Sequence, residues 1–291
     1  MSTTHVIIVN YNAGDWLLRC VSSVLNTDVT KVTVVDNNSS DHSIRQTQQA
    51  ISDDRLTFIE NEENRGFAAA NNQVLASLDS DFAVLLNPDC ELPQATLPAL
   101  MRTFERRPQL GLASCRIEDE QGHVHKTSRR RFPTPWSALV RMLKLQSLQP
   151  SNPRFADFDL GSDADSNIEF EMVEAISGAF MVVRRDALQQ VGLLDEGYFM
   201  HCEDLDWCKR FEQAGWNVGY IGSVRVIHAK GVSSNSRPIG VLWNLHRGMA
   251  RFFGKFYRDE TNIFLRGLVQ LGIYSSFFLR AIGSILRRGH A

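Results

Sequence analysis

The sequence predicts an α/β protein: a mostly parallel sheet flanked by helices, followed by amphipathic helices at the C-terminus. Three observations carry this. Short β-branched runs begin near residues 5, 31, 56 and 82, and that interval is the length of one strand-plus-helix unit. The runs are apolar throughout instead of alternating, as strands buried on both faces are. Beyond about residue 236 the chain turns basic and aromatic-rich, which separates residues 1–236 as the sheet-bearing domain from a helical region over 237–291.

Taken in order, residues 5 to 9, 31 to 35, 56 to 59 and 82 to 86 read as strands. Ligands of such sheets gather beyond the carboxyl ends of the strands. There the chain places Asn10-Tyr11-Asn12, Asp36-Asn37-Asn38, the 61–66 stretch and Asn87-Pro88-Asp89. Residues 145 to 169 are polar and broken by Pro150, Pro153 and Gly161, so a mobile loop is expected. Strand character returns at 176 to 184, a helix is expected over 204 to 214 before Gly215, and a further strand over 218 to 227. Between Arg247 and Arg288 stand eight Lys plus Arg, interleaved with phenylalanines. The longest uncharged stretch there, 267 to 279, has 13 residues, whereas a spanning helix needs roughly 20. A helix lying in a membrane interface, or one packed on the core or a second subunit, both fit.

Composition removes several classes. Of 291 residues 43% are apolar, with 17 Phe and 5 Trp, enough for a real core and incompatible with disorder. A net charge of -2 gives no bulk attraction to nucleic acid. Five cysteines without a CxxC pair read as reduced, structural thiols. The opening MSTTHVIIVNYN lacks a basic leader and resembles a first strand, so a cytoplasmic location is expected.

Asp36 and Asp89 fall at strand ends, where Asp also serves turns and caps. Asp89 is the sharper signal, because it follows the strand AVLL directly and offers a hard oxygen ligand for a divalent ion. His228 ends another apolar run; it is either a structural hydrogen-bonder or a ligand, and imidazole suits manganese better than magnesium. Glu203, Asp204 and Asp206 crowd a helix start beside aromatics. They complement the helix dipole, and one of them could act as a general base, with Asp206 free to brace Arg210 at i,i+4. Asn64-Arg65-Gly66 opens a helix of small residues, permitting close approach of backbone or substrate. Lys126, Arg129, Arg130 and Arg131 form either a solvated basic face or a site for phosphate or anionic lipid.

In this order VIIVNYN, VVDNNSSD, NRGFAAANN, LLNPD, SGAFMVVRR, GYFMHCEDLDWCKR and VIHAKG resemble the family 2 glycosyltransferases of GT-A fold, in their rhamnosyltransferase-like branch. The resemblance implies that Asp36, framed by Val9, Asn10 and Tyr11, holds the donor's pyrimidine. Arg65, Gly66 and Asn87 would complete the donor side, with Asn87 standing where many members carry the first Asp of a DxD motif. Asp89 and His228 would bind Mn2+ or Mg2+ on the donor diphosphate. Asp204 would be the base, with Glu203 beside it, and Gly178, Ala179, Phe180 and Trp207 would line the acceptor side.

The implied reaction is inverting transfer of a sugar, with dTDP-rhamnose favoured, to a polyprenyl-diphosphate-linked glycan at the inner leaflet, in cell-surface polysaccharide synthesis. The enzyme would associate peripherally with the anionic membrane surface. The alternatives are a UDP-hexose donor, or a non-catalytic membrane-associated module of the same fold. A nicotinamide enzyme is disfavoured, because no G-x-G-x-x-G follows the first strand.

Overall fold

Seven consecutive buried residues, Thr4–Asn10, make β1, and everything at the site is hung from it. The computed structural model describes residues 2 to 142, 158 to 229 and 238 to 288. Val6 and Ile8 of β1 enter one apolar cluster while Ile7 and Val9 enter the other, the period-two alternation of a strand buried on both faces. Each such side chain stabilises the fold by about 1.5–3 kcal/mol relative to exposure. A charge at Ile7 would therefore break the sheet at its centre.

The chain continues through α1 (Asp15–Leu25), β2 (Lys31–Asp36), α2 (Ser43–Ala50), β3 (Leu56–Glu60), α3 (Gly66–Leu75), β4 (Phe82–Leu86), β5 (Cys90–Glu91), α4 (Thr96–Arg106) and β6 (Leu110–Glu118). After β7 (Arg129–Arg130) and α5 (Pro135–Met142) come β8 (Glu171–Met172), β9 (Ala175–Ile176), β10 (Phe180–Arg184), α6 (Arg185–Val191), α7 (Glu203–Gln213) and β11 (Asn217–His228). Helices α8 (Pro238–Phe256) and α9 (Ile263–Arg288) end the described chain. In α1 the buried Leu17, Cys20, Val21 and Val24 recur at three- and four-residue steps, one stripe of a helix, and seat it on the first cluster. Ala68 and Ala70 of α3 and Leu205, Cys208 and Phe211 of α7 fill the second.

Among the described residues the main sheet runs β3-β2-β1-β4-β10-β6-β11-β5, with β8 beside β11. Strands β1 to β4 are parallel, as is β6 with β11, and β10 runs antiparallel between β4 and β6. The order reverses at β1, which opens a crevice beyond the carboxyl ends of β1 and β4.

Two expectations change. The strand expected over 176 to 184 is two: β9 pairs with β7 in a small second sheet, and β10 joins the main one, with the chain crossing between sheets at Ser177-Gly178-Ala179. Of the loop expected over 145 to 169, residues 145 to 157 lie outside the described residues. Residues Asp163–Asn167 form a 3-10 turn whose Asp165 is buried against Arg129, at 3.0 Å, and the Tyr220 hydroxyl, also at 3.0 Å. That ion pair anchors this part of the segment. All five cysteines are buried and free of disulfides.

Candidate active site

At the end of β1 the fully buried Asn10 turns its amide onto β2. Its Nδ2 lies 2.7 Å from Asp36 Oδ1, 3.0 Å from Ser39 Oγ and 2.9 Å from Ser43 Oγ. Ser39 donates twice more to Asp36, through its backbone N–H to Oδ2 at 2.9 Å and through its hydroxyl to Oδ1 at 2.6 Å. A carboxylate has about four acceptor positions. The network therefore fixes Asp36 and leaves Oδ2 with room for one more donor. Asn12 and Asn38 take left-handed conformations beside it, which asparagine tolerates better than most residues.

Gly66, at φ +81°, packs its α-carbon under the Phe199 carbonyl, where a Cβ would collide; Phe67 donates its N–H to that same carbonyl at 2.9 Å. Asn37 in turn donates to the Gly66 carbonyl at 3.2 Å. The close approach that this glycine permits is thus between two parts of the chain, and it ties the end of β2 to the 199–202 turn.

After β4 the chain turns through Asn87-Pro88-Asp89, with the Asn87 N–H donating to the Ala179 carbonyl at 2.9 Å. Asp89 is buried, and its Oδ1 lies 3.1 Å from His228 Nε2 at the end of β11. Two ligands at about 2.1 Å from one ion, at right angles, stand about 3 Å apart. The pair fits a divalent cation, and its mixed oxygen and imidazole character suits manganese better than magnesium. His228 Nδ1 is buried without a partner among the described residues. Cys90 Sγ lies close to both, and burial pushes its thiol up. An open cleft of about 740 Å³ adjoins at Ala229, lined by Trp16, Glu120, His123, Lys126 and Asp159.

The acidic helix start is presented by an unusual turn. His201 and Cys202, at φ +71° and +69°, are both left-handed, a conformation that costs roughly 1–3 kcal/mol at each non-glycine residue. Packing from α8 holds it there: Gly248 passes so close that a Cβ would lie 2.8 Å from the His201 carbonyl. Helix α7 then begins with Glu203 and Asp204, both buried. Asp204 Oδ1 accepts the Leu205 N–H at 2.8 Å; Oδ2 accepts the Gly178 N–H at 3.0 Å and an ion pair from Arg130 Nη2. The same Nη2 reaches the Ile176 carbonyl at 2.6 Å. Burial opposes the Arg130 charge, and the Asp204 carboxylate outweighs it, so the guanidinium stays above its ordinary range. Glu203 is pushed up to about 8, by burial first and by the charge of Asp204 second, and its Oε2 has no partner among the described residues. Burial lowers His201 and keeps its ring neutral.

Asp206 takes the bracing role: it pairs with Arg210 at 2.7 Å, and Arg210 pins the carbonyls of Val191 and Leu193. Lys255 of α8 also reaches Asp206, at 2.6 Å, which locks α8 to α7. Two expected acceptor residues are corrected. Phe180 and Trp207 are fully buried: Phe180 points into the core from β10, and Trp207 donates to the Gly192 carbonyl and packs edge-on to Phe211, so neither lines a cleft. Gly178 and Ala179 lie where the two sheets meet, against Asp204 and Asn87. Arg65 is exposed at the start of α3. The basic cluster divides: Arg129 and Arg130 turn inward to Asp165 and Asp204, while Lys126 and Arg131 are exposed, Lys126 at the open cleft. Arg130 and Gly248 went unseen as parts of the site; the alternation along the strand 129–130 was the only signal available for Arg130.

Residues 5 to 192 match the family model described as glycosyl transferase family 2. The chain is 29% identical over 283 residues to the N-acetylglucosaminyl-diphospho-decaprenol L-rhamnosyltransferase of Mycobacterium tuberculosis, covering 91% of this chain and 90% of that one. It is 24% identical over 288 residues to the rhamnosyltransferase WbbL of Escherichia coli, covering 97% and 98%. Among solved structures it is similar to the mannosyltransferase PcManGT of Pyrobaculum calidifontis, held in complex with GDP-Man and Mn2+, at a TM-score of 0.59 and 16% identity, covering 99% of this chain and 79% of that one. The crevice beyond β1 and β4 is thus that of a GT-A fold, and the chain belongs to glycosyl transferase family 2, as a rhamnosyltransferase-like glycosyltransferase.

Proposed function

We propose that the enzyme transfers L-rhamnose from dTDP-rhamnose, with inversion, to a hydroxyl of a polyprenyl-diphosphate-linked glycan, as a step of cell-surface polysaccharide synthesis. One observation carries the reading. The segment Gly178-Ala179 joins the two chemical centres: Ala179 accepts from Asn87 beside the Asp89–His228 pair, and Gly178 donates to Asp204. A donor diphosphate at the first centre and an acceptor hydroxyl at the second would then meet across one dipeptide without a side chain larger than methyl. The names of two relatives that span nearly the whole chain favour rhamnose as the sugar, and the name of the Mycobacterium tuberculosis relative favours a lipid diphosphate as the carrier.

Asp36 receives the N–H of the thymine ring on Oδ2, with the backbone of Val9 to Tyr11 framing the base and Asn10 holding the carboxylate. Asn87, Arg65 and Gly66 complete the donor side. Asp89 and His228 hold the divalent cation, which when bound offsets charge on the leaving nucleoside diphosphate. Asp204 takes the proton of the acceptor hydroxyl, whose oxygen forms the new bond to the anomeric carbon as the bond to the diphosphate breaks.

The carrier lipid gives α9 a purpose. Phe264, Leu268, Leu271, Phe278 and Ile282 form one exposed apolar stripe along it, and Arg280 is exposed on another face of the same helix. No helix among the described residues is long and apolar enough to cross a membrane. Such a stripe suits the interface of the anionic inner leaflet, where each basic residue adds about 1 kcal/mol. Thermal-shift titration with dTDP-rhamnose, UDP-glucose, UDP-galactose, UDP-GlcNAc and GDP-mannose, each with Mn2+, tests the donor. Stabilisation by dTDP-rhamnose above the others is expected, and preference for a UDP-sugar would replace it.

A further inference from the structure

We propose that Arg130 is a positioning residue for the transfer: from β7 it clamps Oδ2 of Asp204, so that Oδ1 is the oxygen turned to the acceptor and Asp204, not Glu203, takes the proton. This rests on the reading of Asp204 as the base.

The geometry is a division of labour between two oxygens. Oδ2 carries both the Arg130 ion pair and the Gly178 N–H, while among the described residues Oδ1 accepts only the Leu205 N–H, which leaves it a lone pair. Arg130 is itself fixed, because β7 pairs with β9 and Nη2 is shared with the Ile176 carbonyl. The side chains of Arg130 and Asp204 are only 11% and 12% exposed, so water does not screen the pair. Two adjacent buried carboxylates separate their roles when only one has a cation. Here the cation faces Asp204, and Glu203, whose Oε2 lacks a partner among the described residues, is the one burial pushes up. The other groups facing this pair do not compete. His201 is held neutral by burial, the Cys202 and Cys208 thiols are pushed up, and Asp159 adds negative charge on the Arg130 side. The cations of α8, Arg251 and Lys255, are engaged by Asp195 and Asp206.

The test compares Arg130→Met and Arg130→Lys with the parent in the full chain, by three readouts. The first is titration of the Asp204 carboxyl 13C resonance, assigned by its loss in Asp204→Asn, which needs no substrate. The second is calorimetric affinity for dTDP-rhamnose with Mn2+, and the third is turnover with a synthetic polyprenyl-diphosphate GlcNAc. In Arg130→Met the Asp204 midpoint should lie above the parent's, as loss of an adjacent cation dictates. Turnover should fall about 10- to 100-fold with donor affinity unchanged. Arg130→Lys keeps the charge without the planar fork, so its midpoint should stay near the parent's and its turnover fall between the two. A folded Met variant that titrates and turns over like the parent overturns the proposal. If the Met variant does not fold, the Lys variant decides: a clear loss of turnover at unchanged donor affinity and melting temperature supports the clamp, and parental turnover overturns it. Asp204→Asn separates the two failures. Parental turnover there removes Asp204 as the base, whereas its collapse beside parental Arg130 variants removes only the role of Arg130. If the parent does not turn over dTDP-rhamnose, the donor assignment fails and the 13C titration decides alone.

Discussion

Replacing Glu203 by glutamine should change how stability depends on pH. Glu203 is pushed from 4.5 up to about 8 in the folded protein, chiefly by burial. A carboxyl raised on folding holds its proton in the native state after the unfolded chain has lost it. Its contribution is therefore fully present below about pH 4.5 and is lost as pH rises through about 8. Each unit of that window corresponds to at most about 1.4 kcal/mol for one proton, so the whole effect is on the order of a few kcal/mol. Glu203→Gln is nearly isosteric and cannot ionise. Urea unfolding at half-unit steps from pH 5.5 to 8.5 should show the parent losing stability relative to the variant, with the difference widening toward pH 8. Titrating groups that do not interact with Glu203 are common to both proteins and cancel. Parallel profiles would refute the assignment of a proton to buried Glu203.

The other expectations concern the donor, the turn and the C-terminal helix. Asp89→Ala and His228→Ala should weaken binding of intact donor and its response to Mn2+ in calorimetry, while Asp36→Ala should weaken free dTDP even without metal. Gly66→Ala, which puts a Cβ at φ +81° against the Phe199 carbonyl, should cost about 1–3 kcal/mol in denaturant unfolding, and turnover should fall because the 199–202 turn must shift. Deleting residues 260–291 removes α9 and keeps the contacts of α8 with the 201–202 turn. The truncated protein should remain folded and lose flotation with anionic liposomes at low salt, and full-length protein that ignores those liposomes would remove the membrane reading.

What the sequence made legible follows from which forces are local. The apolar runs of β1 and β4 are buried on both faces, and that burial is written directly in their composition; the acids at the start of α7 announce a helix dipole in the same way. The break between β9 and β10 was hidden, because Ser177-Gly178 reads as the interior of one strand until the partner strands are known. Trp207 shows the converse error. Its place one turn from Glu203 and Asp204 suggested the cleft, and the i,i+3 and i,i+4 spacing does keep it on their side of the helix, but there it is fully buried in the core beside Phe211. Arg130 lies 74 residues from Asp204, and a pairing at that distance is set by the β7–β9 register, which no local pattern encodes. Gly248 is illegible for the same reason: its value lies in what α8 presses against.

The central claim is that Asp204 removes the acceptor proton, and Asp204→Asn tests it most directly. Single-turnover transfer from dTDP-rhamnose to the lipid-linked acceptor, measured beside calorimetric donor affinity, should fall by about two to four orders of magnitude at unchanged affinity, the usual range for a lost general base. Turnover within a few fold of the parent would contradict the account.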